Sequence, residues 1–152
     1  AVKAGREYVC SDMLRGEDGK YRIDFEDFAQ KAADPKVKLC IFCNPHNPTG
    51  RAWTAEELKK VGTICLENGL YILSDEIHCD LLRSGLRHTP LASLFPESRR
   101  IVTCMAPSKT FNIAGLHFSE LLIPDEALRA EWNKTHSEGE NPLRHCRICG
   151  WL

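Results

Sequence analysis

Three short apolar runs, separated by segments with helical periodicity, constrain the fold of this chain more than any other feature. The runs cover residues 39–43, 70–73 and 101–105, and a polar segment follows each of them. One helical segment precedes the first run and another lies between the first two. Helices and strands that alternate in this way favour a parallel sheet with helices on its faces. We therefore predict a three-layer α/β domain with a mostly parallel sheet.

Both helical segments begin with recognisable capping residues. Asp24 precedes a segment in which Phe25, Phe28 and further apolar residues recur at helical spacing, so a helix is predicted to start there. Thr54 and Glu57 form a capping-box pattern at the start of the second helix. The run at residues 39–43 is almost continuously apolar, which predicts a strand that is covered on both faces.

The last part of the chain has a weaker pattern. We predict a strand within residues 117–123 and a short helix from Asp125 to about Trp132. Residues 135–147 are polar without clear periodicity, so we assign them no regular structure. The predicted division is one domain over residues 1–134 and a tail over residues 135–152.

Charge and hydropathy argue against several classes of partner. The 152 residues include 20 basic and 21 acidic side chains, so the chain lacks the basic surface that nucleic acids or anionic membranes require. No apolar run approaches the roughly 20 residues of a membrane span, and the first residues lack the apolar core of a signal peptide. We expect a cytoplasmic protein with no nucleic-acid or membrane partner. Because the chain opens on Ala1, we also expect it to be an internal piece of a longer protein.

Eight cysteines raise the possibility of a zinc site or of disulfides. Cys40 and Cys43 form a CxxC pattern, but inside a predicted strand an odd spacing points the two side chains to opposite faces. Cys146 and Cys149 have a better local spacing, although no second suitable pair accompanies them in the sequence. We favour reduced cysteines that act as small hydrophobic residues, and we predict no metal.

A candidate site residue follows each apolar run. Asn47, Asp75 and Lys109 are expected to lie close together, because the carboxyl ends of parallel strands meet at the edge where ligands bind. Alone, Lys109 would more often be a surface charge, Asp75 a capping carboxylate and Asn47 a turn residue. Together they suit a carbonyl cofactor with an aromatic ring nitrogen: an amine for the imine, a carboxylate for the nitrogen and an amide for a ring oxygen. Apolar neighbours would desolvate the lysine and favour its neutral, nucleophilic form.

Three sequence motifs carry a resemblance to a known family. They are NPHNPTG at residues 44–50, SDEIH at 74–78 and SKTFNIAGL at 108–116. In this order they resemble the pyridoxal-phosphate (PLP) enzymes of the class I/II aminotransferase superfamily, which have fold type I. The particular residues in and near these motifs are most similar to the branch of cystathionine beta-lyases and related carbon–sulfur lyases, including WT at 53–54, DEIH at 75–78 and APSK at 106–109. The resemblance runs from about Gly19 to Trp132. It implies that residues 1–134 are part of the PLP-binding large domain and that the full-length protein is a homodimer.

The resemblance also implies a role for each matching residue. Lys109 matches the Schiff-base lysine, which is also the catalytic base, and Asp75 matches the partner of the pyridine nitrogen. Asn47 matches the donor to the 3-oxygen of the cofactor. His78 stands where many aminotransferases have a tyrosine near that oxygen, and Ser108 is the local candidate for binding the phosphate.

Two positions depart from the wider superfamily. Ala106 and His117 stand where a hydroxyl residue and an arginine often serve the phosphate, a change that the lyase branch tolerates. The implied activity is cleavage of cystathionine or a cysteine S-conjugate to a thiol, pyruvate and ammonia. An aminotransferase uses the same three residues, and a catalytically incomplete fragment is a further interpretation.

A nucleotide hydrolase is a rival from another enzyme class. Asp75 and Glu76 at the end of an apolar run resemble a magnesium-binding pair. However, the sequence contains no GxxxxGK[ST] loop, which argues against this rival.

Overall fold

Helices and strands alternate along the chain, as the sequence predicts. The structure is a computed structural model that describes residues 5–137 and 146–148. The strands in these ranges are β1 (Met13–Arg15), β2 (Tyr21–Ile23), β3 (Leu39–Cys43), β4 (Tyr71–Asp75), β5 (Ile101–Met105), β6 (Ser119–Leu122) and β7 (Cys146–Ile148). The α-helices are α1 (Phe25–Ala32), α2 (Ala55–Glu67) and α3 (Glu126–Ser137). Two short 3₁₀ helices cover Leu91–Leu94 and Ala114–Leu116.

The main sheet has the strand order β3-β4-β5-β6-β7. β3, β4 and β5 are parallel, and Asp75 lies opposite Cys43 on one side and Cys104 on the other. β6 is antiparallel to β5, and β7 is parallel to β6. The predicted mostly parallel sheet is confirmed, whereas the reversed direction of β6 left no signal in the sequence. β1 and β2 form a separate antiparallel hairpin.

The core lies between α2 and one face of the sheet. Leu58, Val61 and Cys65 of α2 are fully buried, as are Ile72 of β4 and Leu91 of the first 3₁₀ helix. Each buried aliphatic side chain of this size contributes about 1.5–3 kcal/mol relative to an exposed one. This packing fixes the strands whose ends carry the candidate site.

Both predicted helix starts are confirmed. The Asp24 side chain accepts hydrogen bonds from the backbone N–H groups of Glu26 and Asp27. The Thr54 side chain accepts one from the N–H of Glu57, whose own side chain accepts one from the N–H of Thr54. These bonds satisfy donors that have no partner within the first helical turn.

One face of β3 is open, contrary to the sequence prediction. Cys40 and Phe42 pack against the core, but Leu39 and Ile41 on the alternate face are 49% and 71% exposed. A run of apolar residues reveals that a strand is hydrophobic, but it does not reveal which other segment covers each face. The prediction that β3 is covered on both faces is therefore wrong within the described residues.

The open face of β3 predicts self-association of the isolated 152-residue chain. Ile41→Lys should weaken this association about tenfold, since burial of an isoleucine contributes about 1.5–3 kcal/mol and each 1.4 kcal/mol is a factor of ten. Leu14→Lys is a matched control, because Leu14 is an exposed strand residue of the separate hairpin at 55% exposure. Sedimentation velocity over a concentration series measures the effect. A monodisperse monomer of the unsubstituted chain would contradict the prediction.

The end of the described chain contains more structure than the sequence predicts. α3 continues to Ser137, beyond the predicted end near Trp132, and β7 pairs with β6. The interpretation that residues 135–147 have no regular structure is therefore wrong for the last three residues of α3 and for the first two of β7, a strand too short to show periodicity. The boundary at residue 134 stays a prediction, and Cys149 lies outside the described residues. No described helix has the length and apolar character needed to cross a membrane.

Candidate active site

The loop after β3 is held against the rest of the sheet edge. The backbone N–H of Asn44 donates to the carbonyl of Asp75 at 2.9 Å, and the buried Asn44 side chain donates to the carbonyl of Thr89 at 3.0 Å. His46 is hydrogen bonded through Nδ1 to Thr49 Oγ1 at 2.8 Å, and burial lowers the pKa of its imidazole. Asn47 is exposed within this loop. The loop therefore has a defined shape that leaves the candidate amide accessible.

Asp75 is the last residue of β4 and is half-buried. Its Oδ1 accepts a hydrogen bond from the N–H of Ile77 at 3.2 Å, which fixes the turn that leaves the strand. Asp75 lines an open cavity of about 230 Å³ on the same face of the sheet as Ile41. The other lining residues are mainly apolar: Ile41, Leu73, Ile77, Cys104, Met105, Ala106 and Ser119. The carboxylate is thus a polar group at the margin of an apolar hollow, an arrangement typical of ligand sites.

Sequence reasoning missed the role of Glu76. This residue is 1% exposed, and its Oε1 accepts hydrogen bonds from Ser74 Oγ at 2.8 Å and from the N–H of Leu91 at 3.0 Å. Its Oε2 lies 2.6 Å from His88 Nε2. Because protein groups occupy both oxygens, this carboxylate holds the connection before β5 against the end of β4. Such a long-range set of contacts leaves no local spacing signal.

The magnesium-binding interpretation of Asp75 and Glu76 is not supported by this geometry. Glu76 is directed to protein donors rather than to an open site. Among residues 5–137 and 146–148, no group of three or more histidine, cysteine or carboxylate side chains is arranged to hold a metal ion. The two core cysteines Cys40 and Cys65 are free thiols, and the hydrogen bond between them lowers the pKa of Cys40.

The loop after β5 carries Lys109. Two backbone hydrogen bonds shape it, from the N–H of Phe111 to the carbonyl of Pro107 at 2.9 Å and from the N–H of Ile113 to that of Ser108 at 3.0 Å. Ser108 is half-buried, whereas Lys109 is exposed and Phe111 is 68% exposed. The expected desolvation of the lysine is therefore not provided by the described residues.

The three strand ends lie side by side at one edge of the sheet. The bond from Asn44 to Asp75 joins the first loop to the second strand, and the N–H of Glu76 donates to the carbonyl of Cys104 at 2.9 Å. Asp75 therefore stands between the loop that carries Asn47 and the strand that leads to Lys109. His78 is half-buried in the loop after β4, and Ser108 adjoins Lys109. The structure brings these loops together, while the roles assigned to the individual side chains stay predictions.

Comparison with known proteins identifies the family. Residues 6–138 match the family model described as aminotransferase class I and II. The chain belongs to the aminotransferase class I and II family. This membership confirms the resemblance that rests on the three motifs, and the fold class is confirmed with it.

The curated proteins that this chain resembles include a lyase and an aminotransferase. The chain is 53% identical over 132 residues to cystathionine beta-lyase PatB of Bacillus subtilis (strain 168). This match covers 86% of the present chain and 34% of PatB. The chain is 34% identical over 127 residues to an aspartate aminotransferase of Geobacillus stearothermophilus, covering 83% of this chain and 32% of that protein. The chain thus spans about a third of the length of these relatives.

A solved structure of the family agrees with the fold. The PLP-bound C-S lyase from Staphylococcus hominis superimposes with a TM-score of 0.81 at 50% sequence identity. The match covers 89% of this chain and 34% of that chain. The described part of the chain therefore corresponds to one segment of a larger enzyme fold.

Proposed function

We propose that this chain belongs to a longer protein, here the full-length protein, that is a PLP-dependent carbon–sulfur beta-lyase. Its substrate would be cystathionine or a cysteine S-conjugate, and its products a thiol, pyruvate and ammonia. The observation that carries the proposal is the position of Asp75 between the loops of Asn47 and Lys109 at one sheet edge. The 53% identity to cystathionine beta-lyase PatB supports the lyase branch.

The side chains at this edge are of the types that PLP requires, and of the candidate site residues it is Asp75 that lines the cavity. An aromatic ring needs an apolar surface, with few polar groups at its margin, and the cavity beside Asp75 is lined in this way. The Asp75 carboxylate would accept a charge-assisted hydrogen bond from the protonated ring nitrogen. The Asn47 amide would donate to the ring oxygen, with His78 nearby, and Ser108 would donate to the phosphate.

Lys109 would perform two tasks in this site. Its amine would attach the cofactor covalently and, once displaced by the substrate amine, take the proton from the substrate α-carbon as general base. PLP, when bound, supplies an electron sink for the charge that develops on that carbon. Asp75 would keep the ring nitrogen protonated, which maintains that capacity.

Release of the products then breaks the carbon–sulfur and the carbon–nitrogen bond of the substrate and consumes one water. The carbon–sulfur bond breaks with its electron pair leaving on sulfur, and the resulting thiolate takes up a proton. The three-carbon remainder reacts with water to give pyruvate and ammonia. Cystathionine and water would thus yield homocysteine, pyruvate and ammonia.

An aminotransferase is the second candidate function, favoured by the 34% identity to the aspartate aminotransferase. It would use Lys109, Asp75 and Asn47 in the same positions. The two reactions differ in the fate of the proton taken from the α-carbon and in the fate of the amino group. An aminotransferase passes the amino group to a keto acid instead of releasing it as ammonia. A catalytically incomplete fragment is the proposal that applies to the 152-residue chain when it is isolated.

Product analysis tests the proposed function. We expect the full-length protein to release pyruvate and a thiol from cystathionine in equal amounts. In a separate reaction, the protein receives an amino donor and a keto acid, and new amino acid is measured. New amino acid without any thiol would contradict the lyase proposal and favour the aminotransferase. The Lys109→Ala variant is the control for nonenzymatic turnover.

We also propose that the full-length protein is a cytoplasmic homodimer, as membership of the family leads us to expect. The open face of β3 and the exposed Lys109 loop are consistent with surfaces that other segments or a second subunit cover. The mass of the full-length protein in solution tests the dimer.

A further inference from the structure

We propose that Asp80 and Thr110 are positioning residues that orient Lys109. This inference rests on the proposed function, because it concerns the amine that would carry PLP. Thr110 follows Lys109 directly, and its Oγ1 donates a hydrogen bond to Asp80 Oδ2 at 2.8 Å. The bond joins residues 30 positions apart in the sequence, so it connects the loop after β5 to the loop after β4.

The Asp80 side of this contact is anchored. One turn ends just before Asp80, with a hydrogen bond from the N–H of Cys79 to the carbonyl of Glu76 at 2.9 Å. A second turn contains Asp80, with a hydrogen bond from the N–H of Leu81 to the carbonyl of His78 at 3.0 Å. Glu76 is itself buried and bound to three protein groups. The carboxylate of Asp80 therefore projects from a turn whose start is fixed to the core.

The Lys109 side of the contact is held by two backbone hydrogen bonds but not by apolar packing within the described ranges. Lys109 and Phe111 on either side of Thr110 are both exposed, so apolar packing among the described residues does not hold this part of the loop. Hydrogen bonds to an ionised carboxylate are stronger than those between neutral groups, although exposure to solvent reduces the difference. The Thr110 hydroxyl is thus well placed to hold the adjacent backbone, and with it the origin of the lysine side chain.

Accurate placement of this origin matters for the chemistry of the amine. A reacting group that is misplaced by about 1 Å can lose on the order of 100-fold in rate. Loss of the contact between Thr110 and Asp80 should therefore slow reactions of Lys109 without removing the amine. Neither residue needs to touch the cofactor or the substrate for this effect.

The test follows the covalent attachment of PLP to Lys109 in the cofactor-free, full-length protein. Samples are reduced with borohydride at timed intervals, and the modified peptide is quantified by mass spectrometry. Thr110→Val and Asp80→Ala should each slow attachment about tenfold, the scale of one hydrogen bond to a charged group. Thr110→Ser should restore the rate to within about twofold, because the hydroxyl is retained.

Two further comparisons separate positioning from a general loss of structure. The double variant Thr110→Val with Asp80→Ala should be no slower than the Asp80→Ala variant, since both substitutions remove the contact between Thr110 and Asp80. Thr135→Val and Asp18→Ala are matched controls in exposed parts of the chain. The first removes one side-chain hydrogen bond in α3, and the second removes those that Asp18 accepts from Arg22 and from the N–H of Lys20 near the β1–β2 turn. Both controls should attach PLP at the unmodified rate.

Several outcomes would overturn the inference. These are an unchanged rate in Thr110→Val, no rescue by Thr110→Ser, a double variant whose slowing is the product of the two single effects, or equal slowing in the controls. Failure of the proposed function has a different appearance: the unmodified protein would give no reduced product at Lys109, and both proposals would then fall.

Discussion

Lys109→Ala is expected to abolish covalent attachment of PLP and lyase turnover together in the full-length protein. One amine would both anchor the cofactor and act as general base, and a general base alone contributes about 10²–10⁴-fold to a rate. The loop is otherwise expected to keep its shape, because its backbone hydrogen bonds do not involve the lysine side chain. Borohydride trapping measures attachment, and pyruvate release measures turnover.

The two tasks of Lys109 can be separated by adding a small primary amine to the Lys109→Ala variant. A free amine can take a proton from the substrate, but it cannot tie the cofactor to the protein. We therefore expect partial recovery of pyruvate release without recovery of trapped product. Lys59→Ala is the matched control, since Lys59 is an exposed lysine of α2 and lies outside the candidate loops. Undiminished turnover in Lys109→Ala would end the assignment built on this residue.

Asp75→Asn is expected to leave PLP attached while turnover falls by a factor of about 100 or more, the scale of lost electrostatic stabilisation. The asparagine is neutral and cannot keep the ring nitrogen protonated. Its side-chain oxygen can still accept the hydrogen bond from the N–H of Ile77, so the turn after β4 is preserved. The expected result is therefore a loaded but slow enzyme, which distinguishes Asp75 from Lys109.

Asp34→Asn provides a close control for this substitution. Asp34 also accepts a hydrogen bond from a backbone N–H two residues later, that of Lys36 at 2.8 Å, but it lies in the turn after α1. We expect it to retain both attachment and turnover. If Asp75→Asn kept full turnover with cofactor bound, or lost the cofactor altogether, Asp75 would not be the partner of the ring nitrogen.

The sequence was sufficient to predict the central part of the fold because local signals and tertiary structure agree there. The capping residues Asp24 and Thr54 begin α1 and α2, and the runs that become β3, β4 and β5 are strongly apolar. The reversed direction of β6 and the pairing of the three-residue β7 depend on neighbours distant in sequence. The exposure of Ile41 depends on which segment covers the strand, and strand composition does not contain that information.

The candidate site was predictable only as far as strand ends are predictable. Asn47 and Lys109 each follow a recognisable strand and Asp75 ends one, and parallel pairing then brings these strand ends to one edge. The buried Glu76 and the contact between Thr110 and Asp80 have no periodicity or spacing that identifies them. They become visible only when loops that are far apart in the sequence lie next to each other.

The buried carboxylate of Glu76 has a consequence for how this part of the protein can vary in length. Together with Asn44, which holds the carbonyl of Thr89, it fastens residues 88–91 to the ends of β3 and β4. Residues 82–87 therefore form a loop that starts near the end of β4 and ends at an anchored segment. Leu86 in this loop is 54% exposed. The entropic cost of lengthening such a loop is small, about 0.6 kcal/mol for each doubling. Insertions in residues 82–87 should leave Asp75 in place, which makes this loop a suitable point for attaching a label or a new peptide.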